Sequence, residues 1–306
     1  MERARAFAPG SIGNVGPGLD ILGLAVRGAG DTVTVRRRAG RGIVITDPGH
    51  PSLPTDPSRH AAALAAAAVL RRARRRDGLE LAVRKGLPLS GGQGGSAASA
   101  VAGAVATNAL LGRPLDEADL LEAALESEAA VAGRHLDNIA PSLLGGLILI
   151  RSLEPLDVIR LPVPRGLRIV LVKPGYELAT RRGRAALPNV VPRDVALHQA
   201  AQVAAMVAAA GAGDPALFAR AIDDRIAEPA RAPLLPGFVA AKRAALRAGA
   251  LACSISGSGP TLFALADHRA TAEAVGAAVV RAYRRAGYRA DVRLTAPDRT
   301  GARILA

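Results

Sequence analysis

Residues 88–99 read PLSGGQGGSAAS, with Gly91, Gly92, Gly94 and Gly95 running straight into an alanine-rich stretch of helical character. Glycine admits turns closed to other residues and lets the backbone approach a bulky anion, and a helix opening at Ser96 would offer free N–H groups and the positive end of its dipole. A chain carrying such a turn must place a loop and a helix N-terminus side by side. Phosphate suits that arrangement, and so does a plain flexible loop before a helix; the run alone does not separate the two.

The 306 residues, half of them hydrophobic, suffice for one large or two moderate domains. Trp is absent and aromatics are 2%, so Ala, Val, Leu and Ile must fill the core and helices can approach closely. Base-stacking platforms for nucleic acid are correspondingly disfavoured. The net charge of +14 would attract any polyanion, but Lys85, Lys173 and Lys242 are the only lysines, and an excess carried by Arg is what an Arg- and Ala-rich composition produces throughout. The densest cluster, Arg71, Arg72, Arg74, Arg75 and Arg76, follows the alanine stretch 60–70 and reads as a solvated helix end. Cys253 is the only cysteine, which excludes an internal disulfide and a cysteine-based zinc site. The N-terminus lacks a secretory signal and no run approaches the roughly 20 apolar residues of a membrane span, so the expectation is a cytoplasmic protein with no membrane partner.

Strands are predicted at 31–36, 43–46, 147–151, 167–175, 261–266 and 290–295. Helices are predicted at 96–111, 116–132 with Asp116 as N-cap, 193–210, 215–227, 237–248 and 268–286. The proline-rich segment 154–166 reads as the crossing between two halves, 1–155 and 156–306. Without strict βαβ repetition the class is α+β.

Three further segments share the chemistry of the glycine loop. In APGSIGNVGPGLDILGLAV at 8–26, a tight backbone holds Asn14 and Asp20 toward one cleft, or lets them cap their own turns. In ESEAAVAGRHLDNIAPSLLGG at 126–146, Glu128, His135, Asp137 and Asn138 gather around a break at Gly133; a carboxylate late in a helix opposes the dipole, which suggests a compensating cation such as Mg2+. CSISGSGPTLFAL at 253–265 carries a second glycine turn suited to brace the first. Arg184 in ATRRGRAALP and Arg231 in EPARAPLLPGF offer planar forks matched to a carboxylate.

Together these segments resemble the GHMP kinases over nearly the whole chain. PLSGGQGGSAAS looks like that superfamily's phosphate loop and SGSGPT like its C-terminal glycine motif. GSIGNVGPGLD, HLDN and EPARAPLLPGF look like the homoserine kinases within it. The resemblance implies a two-domain fold, with an N-terminal domain like domain 2 of ribosomal protein S5 and a C-terminal ferredoxin-like domain. It implies ATP and L-homoserine as partners, O-phospho-L-homoserine as product, and a homodimer. Carried onto this sequence, Pro88, Ser90, Gly91, Gly92, Gln93, Gly94, Gly95, Ser96 and Ala97 would bind the nucleotide. Ser96 and Glu128 would hold Mg2+. Asn14, Asp20, His135 and Asn138 would surround the amino acid, and Arg184 and Arg231 its carboxylate. Arg184 is chosen over Arg181 and Arg182 because it falls four residues after Thr180. Asn138 stands beside the attacking hydroxyl and is no base, so attack without a strong protein base is expected, with Asp137 as fallback. Gln93 and Gly95 depart from the motif, as Leu and Ser are usual there, and Gly95 predicts a more mobile loop. Residues 50–65, where an adenine pocket is expected, match no pattern. The alternatives are a mevalonate- or shikimate-type kinase, against which Asp20 argues, and a basic module for nucleic acid.

Overall fold

A computed structural model describes residues 2–131 and 133–306. Its first sheet is built on two long strands, β1 (Arg3–Gly13) and β2 (Leu22–Arg38), antiparallel with a bulge between Pro9 and Ser11. Strand β2 serves twice. Its later half pairs with β4 (Gly78–Arg84), which pairs in parallel with β3 (Ile43–Asp47), while Leu22–Leu24 pair with β5 (Leu147–Leu153). Strand β6 (Leu156–Leu161) forms a hairpin with β5, and the terminal β11 (Arg303–Ile304) returns to β1 to make seven strands. The segment 154–166, read as a crossing, therefore contains a strand of the first sheet, and the chain passes to the second between Leu161 and Arg168.

Helices α1 (Ala61–Arg72), α2 (Gly95–Leu110), α3 (Glu117–Val131) and the short α4 (Ile139–Leu144) cover one face of that sheet. Close helix approach is realised: a Cβ on Gly103 of α2 would lie 2.5 Å from the carbonyl oxygen of Ala62 in α1. The core here is Ala, Val, Leu and Ile with no buried aromatic ring. Asp116 caps α3 by accepting from the Asp119 N–H at 2.9 Å, as expected. Ala132, the last residue of the helix predicted at 116–132, lies outside the described residues.

The second sheet runs in the order β10 (Ala290–Thr295), β7 (Arg168–Pro174), β9 (Leu262–Ala266), β8 (Ala252–Ile255), all antiparallel. With α9 (Phe238–Arg247) before β8 and α10 (Arg269–Arg285) between β9 and β10, this is the expected ferredoxin-like arrangement. Val170 and Val172 face α9 and α10, while Ile169 and Leu171 face Ile12, Leu22 and Leu24 of the first sheet. Burial on both faces explains why RIVLV reads as a continuous apolar run. The scarce aromatics concentrate in this half, where Phe218, Phe238, Phe263 and Tyr283 are fully buried.

Between β7 and α9 lie α5 (Thr180–Ala185), α6 (Arg193–Ala212), α7 (Pro215–Arg220) and α8 (Ala227–Arg231). The helix predicted at 215–227 is thus broken after Arg220. Asp224 ends the gap by accepting the N–H groups of Ile226, Ala227 and Glu228, starting a new helix instead of continuing the old one. By length and composition alone α6 could cross a membrane, against the expectation that no run is long and apolar enough. Its Gln199 is instead buried in the fold, donating to the carbonyl of Pro17 at 2.8 Å and to Asp224 at 3.0 Å.

Candidate active site

A cleft of about 950 Å3 runs between the two halves, reaching from Gly49 and His50 at one end to Asp20 and Arg184 at the other. The glycine loop forms its middle. Ser90, Gly92 and Gly94 have positive φ, of 46°, 73° and 68°, while Gly91 and Gly95 do not, so only some of the glycines serve the turn itself. Gly94 caps α2 in a left-handed conformation, leaving the first N–H groups of that helix facing the cleft with no side-chain cap.

The brace predicted from the second glycine turn is present. Ser256 donates its hydroxyl to the carbonyl of Gly92 at 2.6 Å, and the Thr261 N–H reaches the carbonyl of Gly91 at 3.3 Å. A Cβ on Gly92 would meet Ser256 O at 2.6 Å and Gly259 O at 2.7 Å. Two backbones in contact leave the loop little of the freedom its glycines suggest. Lys85, which carried no signal in the sequence, adds a second support: it is ion-paired with the fully buried Asp31 and donates to Gly95 O at 2.9 Å and Ser99 Oγ at 3.0 Å. Asp31 also accepts the N–H groups of Gly86 and Leu87 at 3.0 and 3.3 Å.

Ser96 sits on the first turn of α2 and donates its hydroxyl to Glu128 Oε1 at 3.1 Å. The other oxygen of Glu128 is buried without a partner. Burial, the main cause, pushes this carboxyl up to about 7; the Ser96 hydrogen bond opposes the rise and the Asp137 charge adds to it. An orphaned buried carboxylate oxygen beside a hydroxyl fits a divalent cation, and the helix N-terminus beside them fits the phosphate that would share it. Among the described residues no group of three His, Cys, Asp or Glu is placed to hold a metal, so the remaining ligands would have to come from a bound phosphate and water.

Asp137 and Asn138 come next to the loop because β1 and β2 carry glycine where they pass. A Cβ on Gly13 would fall 2.3 Å from Asp137 Oδ2, and one on Gly23 would collide with the Asp137 carbonyl. The Asn138 amide donates to Asp137 Oδ2 at 3.3 Å, and its oxygen accepts the Ser11 hydroxyl at 2.9 Å. Burial, with the Asp20 charge, pushes the Asp137 carboxyl up to about 7 against the pull of Arg184 and Arg231.

At the far end Arg184 grips Asp20 through two parallel hydrogen bonds of 3.0 and 2.7 Å. Burial raises the Asp20 pKa, but the hydrogen bond and charge of Arg184, with His135 and Arg231, outweigh it and hold it below the usual carboxylate range. His135 Nδ1 lies 3.7 Å from Asp20, and Nε2 is buried without a partner. Burial, with the charges of Arg184 and Arg231, lowers the His135 pKa against the pull of Asp20. Arg231 is almost fully buried, donates to Gly183 O at 3.1 Å and Gly257 O at 2.9 Å, and has no carboxylate ion pair among the described residues. Asn14 lines the cleft, but both ends of its amide are engaged: Oδ1 accepts the Asp20 N–H at 3.0 Å and Nδ2 donates to Gly257 O at 3.2 Å. Its position shapes the loop that presents Asp20. Of the neighbouring arginines, Arg181 also lines the cleft and Arg182 does not.

Family models match both halves, "GHMP kinases N terminal domain" over residues 61–146 and "GHMP kinases C terminal" over 206–285. A homoserine kinase of Arabidopsis thaliana is 44% identical, covering 98% of this chain and 84% of its own. One from Chlorobium phaeovibrioides is 41% identical over the whole of both chains. The chain belongs to the homoserine kinase family of the GHMP kinases. The crystal structure of homoserine kinase from Cytophaga hutchinsonii superposes on this homoserine kinase family member with a TM-score of 0.95 at 38% identity, covering 100% of this chain and 98% of the other. Mevalonate kinase of L. major, at 16% identity and a TM-score of 0.72 over 94% of each chain, shares the fold alone. In this GHMP kinase three of the five clustered arginines are ion-paired at short range, Arg71 and Arg72 with Glu122 and Glu126 and Arg75 with Asp77.

Proposed function

We propose that the cleft binds ATP with Mg2+ and L-homoserine, and transfers the γ-phosphoryl group to the homoserine hydroxyl to give O-phospho-L-homoserine and ADP. The observation that carries the substrate is the juxtaposition, in one part of the cleft, of the Asp20 carboxylate with the Arg184 and Arg231 guanidinium groups. A zwitterion matches it, its ammonium group on Asp20 and its carboxylate on Arg184 and Arg231. Binding would exchange the Asp20–Arg184 pair for two pairs with the substrate, which a ligand with a carboxylate alone cannot do. The unpartnered His135 Nε2 and Arg184 Nε would supply further hydrogen bonds.

Residues 88–97 would hold the triphosphate, with backbone N–H groups from the loop and the start of α2 directed at its oxygens. The base would occupy the end lined by Leu53, Pro54, Arg59 and His60, which supplies the adenine pocket that the sequence left blank. Ser96 and Glu128 would hold Mg2+, which neutralises charge on the phosphates when bound. Phosphoryl transfer needs alignment and charge neutralisation more than covalent chemistry. Asn138, fixed by Ser11 and Asp137, would orient the hydroxyl for in-line attack. A second reading gives Asp137 the proton, and its carboxyl near pKa 7 favours it, since such a group accepts protons at neutral pH. Turnover by Asp137→Asn and Asn138→Ala separates the two: an intact Asp137→Asn with a poor Asn138→Ala supports attack without a base, and the reverse supports Asp137.

A coupled ADP-release assay across L-homoserine, mevalonate, shikimate and L-threonine tests the substrate, with turnover expected for L-homoserine alone. Turnover of mevalonate without homoserine would remove the substrate reading and leave the kinase fold untouched.

A further inference from the structure

Behind the glycine loop, outside the cleft, a polar chain crosses from the second sheet into the first. Arg293 of β10 donates through Nη2 to Gln93 Oε1 at 2.9 Å. The nearly buried Gln93 donates through Nε2 to Thr261 Oγ1 at 3.1 Å, and its main-chain carbonyl accepts the Ser11 N–H at 3.2 Å. Ser11 in turn donates its hydroxyl to Asn138. One amide thus joins β10, the turn after β8, β1 and, through Ser11, the side chain placed beside the transferring group.

Two features of Arg293 go beyond packing. It has no carboxylate ion pair among the described residues, and its Nη1 is buried with no partner. A guanidinium so placed directs its only side-chain hydrogen bond among the described residues at the phosphate loop. On its own face of β10, two residues to either side, Asp291 is exposed and Thr295 half-buried, so Arg293 does not stand in an apolar stripe. Gln93, between Gly92 and Gly94 with their positive φ, is the loop residue whose own side chain ties the curve to the second domain from behind.

We propose that Arg293 is a positioning residue for the nucleotide, acting through Gln93 to hold the glycine loop in its phosphate-binding curve and to couple the second domain to Asn138. The inference rests on the reading of residues 88–97 as the phosphate site. Removing one partner of a buried hydrogen bond leaves the other unsatisfied, whereas replacing both by apolar groups of similar size can be nearly neutral. The pair therefore behaves as a unit.

The test uses the full-length protein with ADP as probe, its Kd measured by titration calorimetry without homoserine, alongside KM for ATP and for homoserine. Arg293→Met is expected to weaken ADP and raise the KM for ATP by about tenfold, as loss of a charge-assisted hydrogen bond implies, with the KM for homoserine within about twofold. Arg293→Lys keeps the charge and recovers part of the loss. Gln93→Leu weakens ADP, and the double variant Gln93→Leu/Arg293→Met binds it more tightly than Gln93→Leu alone. An Arg293→Met effect on ADP below about threefold, equal losses for ATP and homoserine, or a double variant that multiplies the single effects would each overturn the proposal. Wild-type protein that bound no ADP would overturn it together with the phosphate-loop reading, while wild-type protein that bound ADP and phosphorylated another alcohol would overturn only the substrate.

Discussion

At the glycine loop, main chain is held from behind by main chain and by side chains that are themselves partnered: Ser256 on Gly92, Thr261 on Gly91, Gln93 on Thr261, and Lys85, paired with Asp31, on Gly95. At the Asp20 end charged side chains hold one another, and about a third of the Asp20 and Arg184 side-chain surfaces remains exposed. The first arrangement must suit a ligand whose charge arrives with it, so its donors stand ready and Glu128 keeps one oxygen unpaired. In the second, Asp20 and Arg184 already satisfy one another, so a ligand bearing both charges would have to open that pair. Rigidity serves the common substrate of the superfamily's chemistry, while exchangeable ion pairs serve the specific one.

The largest effect should come from the first wall. Glu128→Gln keeps the shape and removes the charge, and is expected to lower kcat/KM by about 10²- to 10³-fold, as loss of a transition-state electrostatic group implies. Its melting temperature without metal should equal or exceed that of the parent at pH 8, because a buried orphaned charge is gone. A marked loss of stability would make Glu128 structural and erase the contrast.

On the second wall, Asp20→Asn should raise the KM for L-homoserine by about 10- to 100-fold while leaving the KM for ATP within about twofold. A hydroxy acid without an ammonium group should gain relative to homoserine in the same variant. Equal changes in both constants would show that the two ends are not separable.

The two walls should also differ in pH dependence. Asp137 and Glu128 titrate near 7 when folded and near 4 when unfolded, so between those values the folded chain holds protons that the unfolded chain has lost. Their contribution to stability therefore falls as pH rises from about 4 to about 7 and is constant above. Asp20, held below its usual value, has the opposite sign: its contribution is complete above about pH 4 and is lost as pH falls below that. Melting curves in chelator for the parent, Asp137→Asn and Asp20→Asn should show slopes flattened in different windows.

The smallest effect distinguishes glycines inside one loop. Gly95 has no positive φ, and a Cβ there would meet its nearest atoms at 3.5 Å or more, so Gly95→Ala should stabilise the protein by about 0.4–1 kcal/mol with nucleotide affinity unchanged. Gly92→Ala, with φ of 73° and carbonyls at 2.6 and 2.7 Å, should impair both.

Much of this was legible in the chain. The glycine loop, the helix after it, Glu128 late in α3 and the bracing role of SGSGPT follow from local rules of turns, caps and dipoles. The strands β1, β4, β6, β8 and β11 were missed, β1 because Pro9 and Gly10 interrupt its pattern at a bulge. Lys85 with Asp31, and Arg293 with Gln93, gave no signal, since partners 54 and 200 residues apart share no spacing.

The sequence by itself determined the turn chemistry, the close-packed alanine core and the charge types available, because these depend on each residue's own geometry and its near neighbours. Tertiary structure decided which groups are paired and which are left unsatisfied. Asn14 turned out to be engaged by its own loop and Gly257, Arg184 to be clasped by Asp20, and Glu128 to keep one oxygen free. Pairing is a property of groups brought together in low dielectric, and only the assembled fold sets those distances.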